Sequence, residues 1–253
     1  MKYTVITGAS SGIGYEAALA FAARGKHLII TARREDELQK LKSEIQSLNP
    51  DLDVVIRIAD LSSSEEVYNF YEGLNEYDLE TFINNAGFGN FASVAEQNLN
   101  KIQTMLHLNI EALTILSSLF ARDYSDKEGT QLINVSSGGG YTIVADAVTY
   151  CATKFYVSAF TEGLAQELKS KGAPMQAKVL APAATETEFA KRSMDLDSFE
   201  YEGAVPKFHT AKEMAGFMLD LYDSEKTVGL VNGETYDFEL KEPVYPYADR
   251  NRR

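Results

Sequence analysis

Tyr150 and Lys154 are four residues apart, the spacing that puts two side chains on one face of a helix. A phenol held beside an ammonium can give a proton to a reacting oxygen or take one from it. Spacing alone says little in a chain with 14 tyrosines, and it recurs at Tyr222 and Lys226. Context separates the two pairs. Upstream of Tyr150 an apolar run ends in Asn134-Val135-Ser136-Ser137 and passes into Gly138-Gly139-Gly140, whereas Tyr222 has only His209 in the equivalent place. Tyr222 and Lys226 therefore read as packing and surface residues. Ser137, at the end of the apolar run, is the hydroxyl nearest upstream of the glycines. It does not read as a nucleophile, because no histidine follows it in a triad-like pattern, and His27, His107 and His209 read as structural or exposed. A free phenol titrates near pH 10, so Lys154 is expected to lower Tyr150; reaching neutrality takes about 4 kcal/mol of differential stabilisation.

A second chemical element lies at the start of the chain. The first strand ends in Thr7-Gly8-Ala9-Ser10-Ser11-Gly12-Ile13-Gly14, and an alanine-rich helix follows at once. Glycines let backbone amides approach a pyrophosphate, and the helix N-terminus adds its positive dipole end. The spacing G-x3-G-x-G departs from the familiar G-x-G-x-x-G, and a plain glycine turn would be the bland alternative. Its place between a first strand and a first helix predicts dinucleotide binding. An NAD site wants an acid roughly 20 residues past the glycines, on the ribose 2′-hydroxyl. Here the second strand ends Thr31-Ala32-Arg33-Arg34, and Glu35 and Asp36 fall into the next helix. Guanidinium groups suit a 2′-phosphate, which predicts NADP, held by Arg33 first and Arg34 second; the alternative is a pair of solvated arginines. Asp60 and Leu61 follow the third strand. Ser62 with Glu65, or Ser63 with Glu66, already makes a capping box, which leaves Asp60 to accept from the adenine amino group.

Short apolar β-branched runs at Tyr3–Thr7, His27–Thr31, Asp53–Ile58, Thr81–Asn84, Thr130–Ser136, Met175–Leu180 and Tyr236–Leu240 alternate with helical stretches at Gly12–Arg24, Asp36–Leu48, Ser63–Leu74, Asn100–Ser125, Tyr150–Ser170 and Ala211–Tyr222. This alternation predicts an α/β fold, a doubly wound parallel sheet of about seven strands with helices on both faces. No linker or repeat divides the 253 residues, so one domain over 1–253 is expected. The stretch 185–209 is long, mixed in character and follows the sixth strand, where such sheets have their crevice; it reads as a substrate-binding loop.

The motifs together resemble the short-chain dehydrogenase/reductase family in its compact single-domain form. They run almost end to end: Thr7-Gly8-x3-Gly12-Ile13-Gly14, Asn84-Asn85-Ala86-Gly87, Asn109, Ser137, Tyr150-x3-Lys154 and Pro182…Thr185, with 13 positions from Ser137 to Tyr150. The resemblance implies that Tyr150 is the general acid/base, that Ser137 polarises the substrate oxygen, and that Lys154 also holds the nicotinamide ribose. It further implies that Asn109 binds a water leading protons to the lysine, that Asn85, Ala86 and Gly87 frame the adenosine side, and that Thr185 meets the carboxamide. One departure is Pro182-Ala183-Ala184-Thr185, where the family often has Pro-Gly. The lone Cys151 neighbours Tyr150 but points elsewhere on the helix, and no cysteine cage or other metal site is expected.

Phe189, Met194, Leu196, Phe199, Tyr201, Val205 and Phe208 in the loop, with Phe88, Phe91 and Tyr141, suggest a moderately apolar carbonyl or alcohol substrate. With 37 acidic against 24 basic residues the chain carries a formal charge of −13, which disfavours nucleic acid, anionic membranes and carrier-bound acyl groups. No charged segment followed by a cleavable apolar stretch opens the sequence, and the apolar run Ile110–Ala121 is too short to span a bilayer; a cytoplasmic enzyme is expected. Surplus apolar residues on the helices at 100–125 and 150–170, among them Phe155, Tyr156, Phe160 and Leu164, predict a homodimer or homotetramer. A dinucleotide-binding sensor on the same fold is the alternative function. A nucleotide-sugar epimerase or dehydratase would need a longer C-terminal domain.

Overall fold

Neighbouring strand residues such as Val5 and Ile6, Ile29 and Ile30, Phe82 and Ile83, and Leu132 and Ile133 are fully buried as pairs. A strand sends successive side chains to opposite faces, so pairs like these require a sheet covered on both sides. The computed structural model, which describes residues 1–248, has that architecture; residues 249–253 of the expected domain lie outside the described residues. The strands are β1 (Lys2–Thr7), β2 (His27–Ala32), β3 (Val54–Ile58), β4 (Asp78–Asn84), β5 (Gln131–Val135), β6 (Gln176–Ala181), β7 (Thr185–Glu186), β8 (His209–Thr210), β9 (Val228–Val231) and β10 (Phe238–Lys241). The helices are α1 (Gly12–Ala23), α2 (Glu35–Leu48), α3 (Ser64–Glu72), α4 (Leu99–Leu106), α5 (Leu113–Tyr124), α6 (Val148–Ser170), α7 (Phe189–Ser193) and α8 (Ala211–Asp223).

The main sheet has eight strands in the order β3-β2-β1-β4-β5-β6-β9-β10, parallel except for the antiparallel β9–β10 edge. On one face Phe21 of α1, Leu38, Leu41 and Ile45 of α2 and Met218 of α8 pack on Ile6, Ile30, Ile83 and Ile133. On the other, Phe70 of α3, Leu116 and Phe120 of α5 and Leu168 of α6 pack on Val5, Ile29, Phe82 and Leu132. Each such buried side chain contributes about 1.5–3 kcal/mol of transfer free energy. The strand order reverses between β1 and β4, and a doubly wound sheet opens its ligand crevice at the carboxyl ends of the two strands flanking such a point.

Three features differ from the pattern legible in the residues. The expected seventh strand at Tyr236–Leu240 is the outer half of a hairpin, and β9 is inserted between it and β6. Only four residues long with Gly229 at its middle, β9 gives a weak strand signal, and the ring of Phe238 fills the place a side chain at Gly229 would take, 2.8 Å from it. The stretch 185–209 is not bare loop: β7 and β8 pair across it and α7 lies between them. The helix expected from Asn100 to Ser125 is interrupted by a π-helical segment, His107–Ala112. By length and composition this 26-residue helix, 99–124, could cross a membrane, contrary to the expectation from its apolar run. Here Leu113, Leu116, Phe120 and Tyr124 are buried and Leu116 and Phe120 belong to the core.

The segment after β10 is fastened by a residue the sequence does not single out. Glu162, buried in α6, accepts from the amides of Val244 (2.5 Å) and Tyr245 (2.8 Å) and from the Tyr141 hydroxyl (2.6 Å). Tyr245 stacks on Tyr141 and donates to the Gly140 carbonyl. Glu162→Ala strands three donors and is expected to lower unfolding stability by about 2–4 kcal/mol. Glu162→Gln keeps an acceptor and should cost roughly half as much. Urea midpoints measure both, and an unchanged midpoint for the alanine variant would rule out this fastening.

Candidate active site

The turn after β1 is shaped by close approach. Gly8 and Gly12 have φ of +68° and +57°, and a Cβ on Gly14 would lie 2.4 Å from both the Gly8 carbonyl oxygen and Asn85 Nδ2. Only glycine permits that contact. Asn85 Nδ2 donates to the carbonyls of Thr7 (3.0 Å) and Gly8 (3.3 Å), and Thr7 Oγ1 accepts from the amides of Asn85 and Ala86 (3.0 Å each). The expected adenosine-side residues thus clamp the glycine turn to the end of β4, and Asn84 is committed below them to Asn134 and Ser117. Ser11 occupies the N-cap of α1 and makes no side-chain cap bond, while Ile13 packs on the core. Uncapped first-turn amides beside a cradle that a Cβ would fill fit a dinucleotide pyrophosphate.

The two arginines diverge. Arg34, at the N-cap of α2, lies across the glycine turn: Nε donates to Ser10 Oγ (3.3 Å) and Nη2 to the Ser10 carbonyl (3.2 Å). Arg33 is about two-thirds exposed, with Nη1 3.9 Å from Asp60 Oδ2. The order expected from the residues, Arg33 before Arg34, is therefore reversed in proximity to the turn. One oxygen of Asp60 is committed and the other is not: Oδ1 takes both the amide (3.1 Å) and hydroxyl (2.7 Å) of Ser62, whereas Oδ2 has only Arg33 at 3.9 Å, and Glu66 accepts from the Asp60 amide (2.6 Å) instead of closing a capping box on Ser63. The side chain of Leu61 is buried in the core.

α6 carries Tyr150 and Lys154, both buried. Lys154 Nζ donates to the Val135 carbonyl (2.9 Å) and lies 5.9 Å from the Tyr150 ring centre. Ser137 caps the 3₁₀ turn Gly138–Gly140, and its Oγ accepts from the Gly139 amide (3.0 Å), which leaves the hydroxyl proton free to donate. A Cβ on Gly139 would sit 3.4 Å from Ser137 Oγ and 3.7 Å from Tyr150 Cε1, so serine and phenol flank one spot. Asn109 falls in the π-helical segment, a distortion common at functional sites. Its Nδ2 donates to Phe88 O (2.9 Å) and Thr153 Oγ1 (3.1 Å), and its Oδ1 accepts from Phe88 N (3.2 Å). A Cβ on Gly87 would be 3.0 Å from Asn109 Oδ1 and 3.6 Å from Lys154 Nζ, which brings these three together. Pro182 receives the Gly138 amide on its carbonyl, and Thr185 Oγ1 turns back to Ala183 O. Cys151 Sγ accepts from the Val144 amide, a packing role.

Burial pushes the Tyr150 phenol up, against a smaller opposing pull from the Ser137 hydroxyl. Burial also pushes the Lys154 ammonium down to about 8. The expected lowering of Tyr150 by the lysine is thus not the balance the protein groups strike by themselves: desolvation favours the neutral form of both.

The loop residues divide. Phe189 packs on the Tyr150 ring at 5.3 Å, with Phe88 beside it. Phe199, Tyr201 and Phe208 pack on one another, and Tyr141 is taken up by Glu162 and Tyr245. Two carboxylates of the same stretch are paired: Glu188 with Arg34 and Asp195 with Lys101. The second Tyr-x3-Lys pair is structural: Tyr222 packs edge-on against Phe21, and Lys226 pairs with Glu242 at the surface.

A family model described as short chain dehydrogenase matches residues 2–196. The chain is 30% identical over 202 residues to dehydrogenase/reductase SDR family member 11 of Gallus gallus, covering 78% of this chain and 79% of that one. It is 32% identical over 199 residues to an uncharacterized oxidoreductase of Staphylococcus saprophyticus, with the same coverages of 78% and 79%. Among solved structures, a short-chain dehydrogenase from Sphingobium yanoikuyae in complex with NADPH matches with a TM-score of 0.83 at 28% identity, covering 92% of this chain and 89% of that one. A bulky-bulky ketone specific alcohol dehydrogenase from Comamonas testosteroni matches with a TM-score of 0.78 at 26% identity, covering 90% and 85%. The chain belongs to the short-chain dehydrogenase/reductase family of oxidoreductases, which act on small molecules with a nicotinamide coenzyme.

The depressed Lys154 makes stability depend on pH. An unfolded lysine holds its proton to about pH 10.4, whereas Lys154 releases it near 8. Between those values the unfolded chain binds more protons, so this residue adds stability as pH rises. Relative to Lys154→Met, the wild type should gain roughly 2–3 kcal/mol from pH 7 to pH 10. Denaturant midpoints across that range measure it, and a difference that stays flat with pH would contradict the depression.

Proposed function

We propose that the chain is a cytoplasmic NADP-dependent oxidoreductase that interconverts a moderately apolar carbonyl compound and its alcohol. The observation that carries this is the meeting of Ser137, Tyr150 and Lys154 beside the glycine turn of β1, at the carboxyl ends of β4 and β5. In this reading the amides of Gly12, Ile13 and Gly14, with Ser10 and Ser11, hold the pyrophosphate, Arg34 and then Arg33 hold the 2′-phosphate, and Asp60 and Asn85–Gly87 flank the adenosine. Pro182 and Thr185 border the nicotinamide. Bound there, the nicotinamide supplies or accepts the hydride. Tyr150 Oη gives its proton to the carbonyl oxygen in reduction or takes it from the hydroxyl in oxidation. Ser137 donates to the same oxygen as charge accumulates. Lys154, charged near neutrality, stabilises the phenolate through space. Asn109 holds Phe88 and the helix distortion in place beside the lysine.

Burial keeps the Tyr150 phenol protonated at neutral pH, the form that can donate to a carbonyl oxygen. NADP is supported by the arginines and by the NADPH-bound Sphingobium structure; a bulky apolar substrate is supported by Phe88 and Phe189 against Tyr150 and by the Comamonas enzyme's ketone specificity. Leu106 (40% exposed) and Tyr156 (37%) on the outer faces of α4 and α6 support a homodimer or homotetramer.

Tyr150→Phe is expected to keep NADPH binding and to lower turnover by about 10²–10⁴-fold on a panel of ketones and aldehydes, the usual worth of a positioned acid; retention of a tenth of wild-type turnover would reject the assignment. The coenzyme reading is tested by titrating NADPH and NADH. Arg34→Ala should weaken NADPH about 10- to 150-fold, as expected for one lost charge-assisted contact, and Arg33→Ala should weaken it less. NADH should be little affected by either, and equal wild-type affinity for the two coenzymes would reject NADP preference.

A further inference from the structure

Glu188 lies at the start of α7, in the segment read as the substrate-binding loop, yet its carboxyl group faces the arginine assigned to the coenzyme. Arg34 Nη2 donates to Glu188 Oε2 at 3.1 Å and Nη1 to Oε1 at 3.5 Å. That is the paired, fork-to-fork geometry by which a guanidinium binds a carboxylate or a phosphate. The other edge of the same guanidinium is spent on Ser10, through Nε and again Nη2. The edge suited to a phosphate is therefore the edge that Glu188 holds.

Glu188 has a second cation to hand. Arg192, one helical turn on, donates to Glu188 Oε2 at 2.6 Å. Against the opposing effect of burial, Arg192, Arg34 and Ser11 hold the Glu188 carboxyl below its ordinary range, so it is an anion at neutral pH. A carboxylate released by Arg34 would still be paired, which keeps the exchange inexpensive. Thr187, the preceding residue, sits where a Cβ on Gly12 would be 2.9 Å away, so the loop is laid directly on the glycine turn.

We propose that Glu188 is a specificity-determining residue that competes with the coenzyme 2′-phosphate for the guanidinium of Arg34. The proposal rests on the NADP reading above. A phosphate arriving at Arg34 meets a carboxylate on the same nitrogens, and the two anions repel unless Glu188 moves to Arg192 alone. A coenzyme with a free 2′-hydroxyl needs no such exchange. Glu188 thus opposes NADP(H) and spares NAD(H), and it sets how far the arginine's preference is expressed. The exchange also unfastens α7, with Phe189 on the Tyr150 ring, from the glycine turn.

The test is the Kd of the purified full chain for NADPH and NADH, read from reduced-nicotinamide fluorescence, in wild type, Glu188→Gln and Arg34→Ala. Glu188→Gln should tighten NADPH about three- to fivefold, the scale of one partly exposed ion pair, and leave NADH within about twofold. Equal tightening of both coenzymes would be a general charge effect and would overturn the proposal. So would unchanged or weakened NADPH binding when Arg34→Ala still weakens NADPH, which leaves the NADP reading intact. If Arg34→Ala leaves NADPH unaffected, the NADP reading and this proposal fall together.

Discussion

The hydroxyl of Thr7 accepts from two consecutive amides, Asn85 and Ala86, while the Asn85 side chain returns two bonds to the carbonyls of Thr7 and Gly8. This reciprocal clasp joins the ends of β1 and β4, the two strands between which the sheet reverses its winding. The crevice opens there because no crossover helix covers the reversal. With the clasp in place, Gly14 lies so close to Asn85 and Gly8 that a Cβ would overlap them, and the start of α1 is held against the strand ends. A shift of a few tenths of an ångström would move the amides away from one another and from any phosphate they bind.

The second half of the site is assembled by burial. Lys154 extends through the core to the Val135 carbonyl, with Tyr150 packed above it. Desolvation raises the phenol and depresses the ammonium, which leaves a neutral phenol beside a lysine that still carries its charge at neutral pH. A buried cation is unfavourable for the fold, and the Val135 carbonyl offsets part of the lost hydration. Asn109 serves the same region differently: placed in the π-helical segment, its carboxamide bonds both the amide and the carbonyl of Phe88 and the Thr153 hydroxyl.

Loop and coenzyme-side residues are not independent. Glu188 and Thr187 bring the segment after β6 onto the glycine turn, and Lys101 holds the far end of α7 through Asp195 and the Arg192 carbonyl. Phe189 is thereby pressed on Tyr150. The glycine turn and the Tyr150 ring consequently share one short element, α7, with polar fastenings at both ends.

Much of this is written in local pattern. Apolar doublets in short strands, glycines at a strand-to-helix turn, and a tyrosine and lysine one turn apart after a serine-glycine stretch are constraints a few residues can state by themselves, since pleat, turn and helix periods are local. The mostly parallel sheet with helices on both faces agrees with that pattern. What escaped it depends on partners far along the chain. Strand β9 becomes a strand because β6 and Phe238 flank it. Arg34 outranks Arg33 at the turn because Ser10 and Glu188 lie 24 and 154 residues away in sequence yet touch one guanidinium. Glu162 looks like any helix acid until the segment after β10 returns, 82 residues on, to donate to it. Residue type and spacing decide which groups are available; long-range packing decides which are already committed, because a hydrogen-bonding edge serves only the partners the fold brings to it.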